Sequence, residues 1–378
     1  MAEHAFLSAS ASHRWLNCPP SAKLCAEQPD RATEYAMEGT DAHTLCAYLV
    51  EKELGRDVQD PTENLSYYNT EMRECAEGYR DFVLEQIEDA KNRCADPIVL
   101  IEQKLDYSDW VAHGFGTGDC VIVSDGVLHI IDFKYGLGVL VSADDPEFGG
   151  NPQLMCYALG ALSLYDGLYD ISEIRMSIYQ PRRSNVSTYT MPREALLSWA
   201  ENTLKPTALL ASAGEGEFKA GDHCVFCKVK ANCRKRAEYN LQLAKYDFKM
   251  PDTLDVFEID AILDKANRLS SWVDDIREYA LKQILDGEDY PSYKAVEGSS
   301  KRKYTDEAEV AEVVTKAGYN PYEQKLLGIT AMTDLLGKKK FTELLDGLTI
   351  KPTGKPTLVP KSDKRPAIHT AKNDFKGE

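Results

Sequence analysis

The chain alternates between stretches whose apolar positions recur every three to four residues and shorter runs that are apolar almost throughout. Met72, Cys75, Ala76, Tyr79, Phe82, Val83, Ile87 and Ala90 fall on one stripe of period 3.6 and predict a long amphipathic helix. Ahead of it, a short helix carries Trp15 and Cys18 and stops at Pro19-Pro20. Thr40 then opens a second helix that runs through Leu45, Leu49 and Val50 to about Leu54. Residues 98–105, 120–123 and 127–134 read as strands, with Asp125-Gly126 a two-residue hairpin signal between the last two. Asn151-Pro152 is an N-cap and first-turn pair for a helix reaching Leu164. Residues 174–180 and 186–191 predict two further strands, and residues 193–211 a helix bent at Pro206. Beyond a loop at 214–222 the pattern is helical: 259–285, 306–316, and short helices around Met332 and Phe341.

That alternation is an α/β pattern, and 378 residues suffice for two or three domains of ordinary size. Hydrophobic residues at 43% and charged residues at 28% exclude a wholly disordered or collagen-like chain. No apolar run approaches the ~18–20 residues that span a bilayer, and Met1-Ala-Glu-His-Ala begins no secretion signal. The expectation is a soluble cytoplasmic protein with no membrane partner. Ten cysteines in such a chain are expected as reduced thiols, with metal or cluster ligation the special case. A net charge of −17 argues at first against nucleic acid, yet residues 351–378 carry seven Lys/Arg against three Asp/Glu. Whole-chain charge says little about local patches, and this Pro/Lys/Thr-rich tail is expected to be flexible and basic.

The stretch richest in chemistry is Gly116-Thr-Gly-Asp119, the hairpin turn, and then Ile131-Asp132-Phe133-Lys134. Asp132 and Lys134 are two apart and share a face of their strand, and Asp119 begins the partner strand, so the three converge at one end of a sheet. A charged Asp-x-Lys ending an apolar strand is costly to bury unless paired or metal-bound, although a surface ion pair would look the same. Two further motifs bear on the choice. Glu38-Gly-Thr-Asp-Ala-His43 puts a histidine in the opening turn of a helix, and Gln153-x-x-x-Tyr157 stacks an amide and a phenol on one helix face.

In this order the motifs resemble those of the RecB/AddB-type nucleases of the PD-(D/E)XK superfamily: His, Gly-x-x-Asp, (Asp/Glu)-x-Lys, Gln-x-x-x-Tyr. The resemblance covers about residues 8–237. It implies a restriction-endonuclease-like mixed sheet flanked by helices, and a Mg²⁺- or Mn²⁺-dependent deoxyribonuclease, an exonuclease in particular. His43, Asp119, Asp132 and the Phe133 carbonyl are implied as metal ligands, and Asp119, Asp132 and Lys134 as the catalytic set. Gln153 and Tyr157 are implied to position DNA. Hard oxygen ligands suit Mg²⁺, and one imidazole shifts the preference toward Mn²⁺. Relatives of this size occur in phages and prophages as recombination or end-processing enzymes, which would place the chain in a bacterial host cytoplasm beside a single-strand-binding or annealing protein.

Cys224-x-x-Cys227-x5-Cys233 offers three thiolates and leaves a tetrahedral site one ligand short. His223 completes a Zn²⁺ site locally; alternatively Cys18 completes the set from the other end of the chain. The resemblance favours Cys18, because nucleases of this type that carry a [4Fe–4S] cluster have one cysteine before the nuclease motifs and three after them. The cluster would then staple the edge of the sheet. Cysteines 25, 46, 75, 94, 120 and 156 read as core. The implied organisation is a nuclease domain with its cluster over 1–245, a helical region over 246–350, and the tail over 351–378. The competing function is a non-catalytic nucleic-acid-binding protein with a structural zinc site. Gly114-x-Gly116-x-Gly118 leads into a strand rather than a helix and is no nucleotide loop, and the chain contains no Walker A sequence. Arg182-Arg183, Lys301-Arg302-Lys303 and Lys338-Lys339-Lys340 are candidate phosphate contacts or solvated runs.

Overall fold

Capping chemistry sets where the long helices begin. In the computed structural model, which describes residues 5–29, 33–241, 256–296, 306–316, 318, 320–322, 327–345 and 348–349, two short helices, α1 (Ser12–Asn17) and α2 (Ser21–Ala26), open the chain. Helix α3 (Glu34–Glu53) starts where the Thr33 side chain accepts the Ala36 N–H, seven residues before the Thr40 start that the sequence suggests. His43 therefore lies more than two turns inside α3, not in its opening turn. Helix α4 (Thr70–Lys91) is capped by Asn69 and buries the expected stripe Met72, Ala76, Tyr79, Val83, Ile87 and Ala90.

Three antiparallel strands follow: β1 (Ile98–Asp106), β2 (Phe115–Ser124) and β3 (Gly126–Phe133). The β2–β3 turn needs the left-handed backbone of Gly126, φ +81°. Strand β2 begins five residues earlier than its apolar run. Its first half is Phe115-Gly-Thr-Gly-Asp, where a Cβ on Gly116 would meet the Tyr157 ring at 2.7 Å. Glycine lets this strand pass beneath the helix α5 (Pro152–Tyr165), which Asn151 caps with bonds from the Gln153 and Leu154 N–H groups. Helix α5 is the crossover that returns the chain to β4 (Ile171–Gln180), parallel to β3, and β5 (Asn185–Pro192) pairs antiparallel on the outside. The five-stranded sheet has the order β1-β2-β3-β4-β5, so neighbours in sequence are neighbours in space.

The sheet is covered on both faces. Leu128, Ile130, Val121 and Val123 pack with α5, while Cys120, Ile122, Ile131 and Phe133 pack with α3 and α4. The fold is thus a mixed α/β sheet flanked by helices, with a helical C-terminal region. The helix expected over 193–211 is broken earlier than Pro206: α6 (Arg193–Trp199) widens into a π-type turn at Ala200–Leu204 before α7 (Lys205–Ala213). Proline in the first turn of α7 has no N–H to give the preceding helix, and the wider turn takes up that missing bond. The cysteine segment forms a 3₁₀ turn at Asp222–Phe226, then α8 (Arg234–Leu241). Helix α9 (Val256–Leu285) docks on it through Asp275, which receives Arg236 at 2.6 Å and Lys230 at 2.8 Å.

The chain divides into two compact units, residues 1–296 and 297–378. The second holds α10 (Glu307–Lys316), capped by Asp306, and α11 (Ile329–Leu345), interrupted by non-helical Gly337 between Met332 and Phe341. Lys301-Arg302-Lys303 and the basic tail at 351–378 lie outside the described residues.

Candidate active site

Four elements meet at one end of the sheet. The β2–β3 register pairs Cys120 with Ile131, and its next step sets Asp119 across from Asp132. Asp119 is held twice: its Oδ1 lies 3.1 Å from His43 Nδ1 on α3, and its Oδ2 accepts the Phe133 N–H at 2.7 Å. Asp132, with a side chain 3% exposed, accepts from Gln153 Nε2 at 3.0 Å through Oδ1. Its Oδ2 accepts a charge-assisted hydrogen bond from the Lys134 ammonium at 2.8 Å. Lys134 in turn donates to Gln153 Oε1 at 3.1 Å, and Gln153 also donates to the Tyr157 hydroxyl at 3.1 Å. Gln153, the second residue of α5, is therefore the hub that orients the Asp–Lys pair.

Charge here is shifted by burial and by neighbours in opposition. Burial works against the His43 cation, but the Asp119 carboxylate beside it wins and raises its pKa to about 9. Burial would raise Asp119 as well, yet His43, Lys134 and the Phe133 N–H hold it below the usual carboxylate range. Asp132 goes the other way: desolvation outweighs the attraction of Lys134 and pushes its carboxyl up. Lys134 is raised because Asp132 and Asp119 outweigh its desolvation.

The structure adds one residue that the motif series did not name. Glu102 has a left-handed backbone, φ +50°, and falls opposite Asp119 in the β1–β2 register. One ligand atom from each of His43, Glu102 and Asp119 lies within 4.8 Å of the others, a grouping able to hold a metal ion. Desolvation by the surrounding protein, then the Asp119 charge, raises the Glu102 carboxyl to about 7, although the residue is exposed at the edge of the site. The kink also changes strand parity: Ile98 and Leu100 face α5 before it, and so does Leu105 after it. The sequence signal was a lone Glu closing the apolar run Ile98-Val-Leu-Ile, which gains meaning only once β1 is registered against Asp119.

Cys18, Cys224, Cys227 and Cys233 line one small cavity with Arg14, Lys219, Lys230 and Arg236. His223 lines it too, but its Nε2 is engaged with the Lys219 carbonyl at 2.8 Å. Among the described residues no three thiols approach within 4.8 Å of one another. Cys25, expected as core, is buried but stands with its Sγ 3.7 Å from Cys227 Sγ and accepts the Lys228 N–H at 3.3 Å. Cysteines 46, 120 and 156 are core residues as expected. Arg182 is not free for phosphate, since it bonds Glu38 and Glu71 and stacks on the Tyr135 ring.

A mixed α/β chain with this carboxylate–lysine end site defines the class. Residues 4–366 match the family DUF2800, described as a protein of unknown function, and the chain belongs to that family. Among solved structures it is similar to a candidate exonuclease from Eubacterium rectale, at 13% identity over 67% of this chain and 92% of that chain, with a TM-score of 0.32. It is also similar to the protein SSO0001, at 14% identity over 51% of this chain and 95% of that one, with a TM-score of 0.22. No helix among the described residues is long and apolar enough to cross a membrane.

Proposed function

We propose that the protein is a divalent-metal-dependent deoxyribonuclease of the PD-(D/E)XK type, acting on DNA ends. The observation that supports this most is the convergence of His43, Glu102, Asp119, Asp132 and Lys134 at one sheet end. Asp132 is desolvated beside the like charge of Asp119, an arrangement that cations stabilise. The donor set fits: carboxylates and one imidazole suit Mg²⁺ or Mn²⁺, with His43, Glu102, Asp119, Asp132 and the Phe133 carbonyl as available ligands. When bound, the ion would supply charge stabilisation at the phosphoryl group and a lowered pKa for the attacking water.

The protein's own groups supply the rest. Lys134 is kept protonated by its two aspartates and carries a fixed positive charge for the developing negative charge on phosphate. Gln153 holds Asp132 and Lys134 in one geometry, so that neither has to reorganise during the reaction. Tyr157 buttresses Gln153 from the next turn of α5, and in this reading the pair also meets the DNA backbone.

For the cysteine cavity we propose a [4Fe–4S] cluster on Cys18, Cys224, Cys227 and Cys233. All four line the same cavity, one from before the carboxylate–lysine motifs and three from after them, the set that the resemblance implies for such a cluster. Arg14 at the cavity wall places a positive charge beside the thiols.

The test is digestion of end-labelled linear and circular DNA with Mg²⁺ or Mn²⁺, comparing the native chain with Asp132→Ala. Metal-dependent loss of label from linear DNA by the native chain alone is expected. Absence of cleavage by the native chain under either metal, with DNA still bound, would return the reading to a non-catalytic binding protein.

A further inference from the structure

Cys25 takes no part in the proposed cluster, and its environment is not that of a spare core thiol. It lies on α2, buried, with its sulfur 3.7 Å from Cys227 Sγ, a residue 202 positions later in the chain. The Lys228 N–H, from the residue after Cys227, points at Cys25 Sγ at 3.3 Å and fixes the two sulfurs relative to one another. Lys228 reaches back as well, its Nζ lying 3.4 Å from the Gln28 carbonyl just beyond α2. The two segments are thus held together by three contacts around one sulfur pair.

We propose that Cys25 and Cys227 form a reversible disulfide, a redox modification site that keeps the α2 segment joined to the cysteine loop when no metal is bound there. The reaction consumes one peroxide per pair. One thiol attacks hydrogen peroxide, the O–O bond breaks, and a sulfenic acid and water result. The second thiol then displaces the hydroxyl group as another water, so that two thiols lose two electrons and peroxide gains them. The neighbouring sulfur is already in contact, so the second step needs no approach of distant segments. Because Cys227 is common to both arrangements, the disulfide and full thiolate ligation exclude each other. Either one closes the same long loop between the start of the chain and the segment after α7.

The experiment uses the full chain, treated with chelator and reductant, desalted, and exposed to a slight excess of hydrogen peroxide. Intact mass should fall by the two hydrogens of one disulfide, and peptide mapping under non-reducing conditions should recover the segments holding Cys25 and Cys227 as one species. Reduction should restore the mass and lower the thermal midpoint of the oxidised chain. Cys25→Ser should lose the cross-linked peptide and the reduction-dependent shift together. A cross-link that joins other cysteines, such as Cys18 to Cys224, would overturn the proposal, as would oxidation of either thiol to sulfinic acid with no cross-link. None of these readouts depends on whether the protein cleaves DNA or which metal it carries.

Discussion

The carboxylate end of the sheet and the cysteine cavity are both polar sites inside one unit, but they are built in opposite ways. At the carboxylate end, the protein satisfies its own groups: the Phe133 N–H and His43 hold Asp119, and Gln153 ties Asp132 to Lys134. These groups sit on or directly after β2, β3, α3 and α5, all of which contribute residues to the core. The cysteine cavity is made from short α1, a 3₁₀ turn and a loop, and its thiols have few partners beyond backbone amides. The first site is preorganised by the fold. The second has less support from the fold, and under the proposed cluster ligation it would be completed by what it binds.

The largest effect expected from that difference is on catalysis without loss of structure. Asp119→Asn keeps an acceptor for the Phe133 N–H, and Asp132→Asn keeps one for Gln153, while each removes a charge. Both should lower cleavage by at least ~10³-fold with thermal midpoints within a few degrees of native, because groups acting as one unit fail together. Chelation of the divalent ion should do the same, reversibly. Near-native cleavage by either folded variant would remove these residues from the catalytic set.

The cysteine cavity should respond in the opposite sense. Anaerobically purified protein should carry about four irons per chain and a broad absorbance near ~400 nm. Cys18→Ser or Cys224→Ser should lose that iron and lower the thermal midpoint by on the order of 5–10 °C, the size expected for losing a long-range staple. Zinc at one per chain, insensitive to Cys18→Ser, would assign the site to His223 instead.

A smaller effect separates Glu102 from the rest. If it holds the metal from the edge of the site, Glu102→Gln should raise the metal concentration needed for half-maximal cleavage by about 10–100-fold and leave the rate at saturating metal nearly native. An unchanged metal dependence would leave Glu102 as a strand kink only.

The smallest effect tests whether the sheet between the sites is indifferent to both. His129 is buried in β3 and bonded to Ser177 at 2.8 Å, and burial followed by the nearby Arg175 charge depresses its pKa to about 3. An unfolded histidine titrates near 6.5, so between about 6.5 and 3 the unfolded chain binds the extra proton and the folded one does not. This contribution to stability is therefore complete above pH 6.5 and drains away as the pH falls toward 3. His129→Asn should flatten the decline of the thermal midpoint over that window, while iron content and metal dependence stay as in the native chain. A slope identical to native would show that His129 is protonated within the fold.

The strands, the hairpin at Gly126 and the stripe of α4 were legible because each rests on neighbours in sequence. The motif residues His43, Asp119, Asp132, Lys134, Gln153 and Tyr157 are brought to one place, as their order suggested. What escaped was set by contacts between distant segments. Glu102 joins the group through the register of β1 and a left-handed kink, neither visible in a run of apolar residues. Cys25 read as core because it falls on an apolar face, and it is buried; that its neighbour is another sulfur depends on how a loop about 200 residues away folds back. The start of α3 was misjudged because Thr33, not the more suggestive Gly39-Thr40, supplies the cap. Lys301–Lys303 and the tail fall outside the described residues.

The strictly sequential strand order carries a consequence for how the chain reaches this structure. Every strand pairs with its predecessor, and the one parallel pairing spans a single helical crossover, so the sheet can assemble through short loop closures that cost little chain entropy. The contacts of Cys18 and Cys25 with the segment around Cys227 are the exception, closing more than 200 residues at once. The expected order is a sheet that condenses early and a cysteine lobe that docks late, onto a surface already formed. Pulse-labelling hydrogen exchange during refolding should protect β2 and β3 amides before those of Lys228 and Ala237; simultaneous protection would mean that the lobe nucleates with the sheet. Late docking would leave the thiols open to whatever loads them until the rest of the unit is in place.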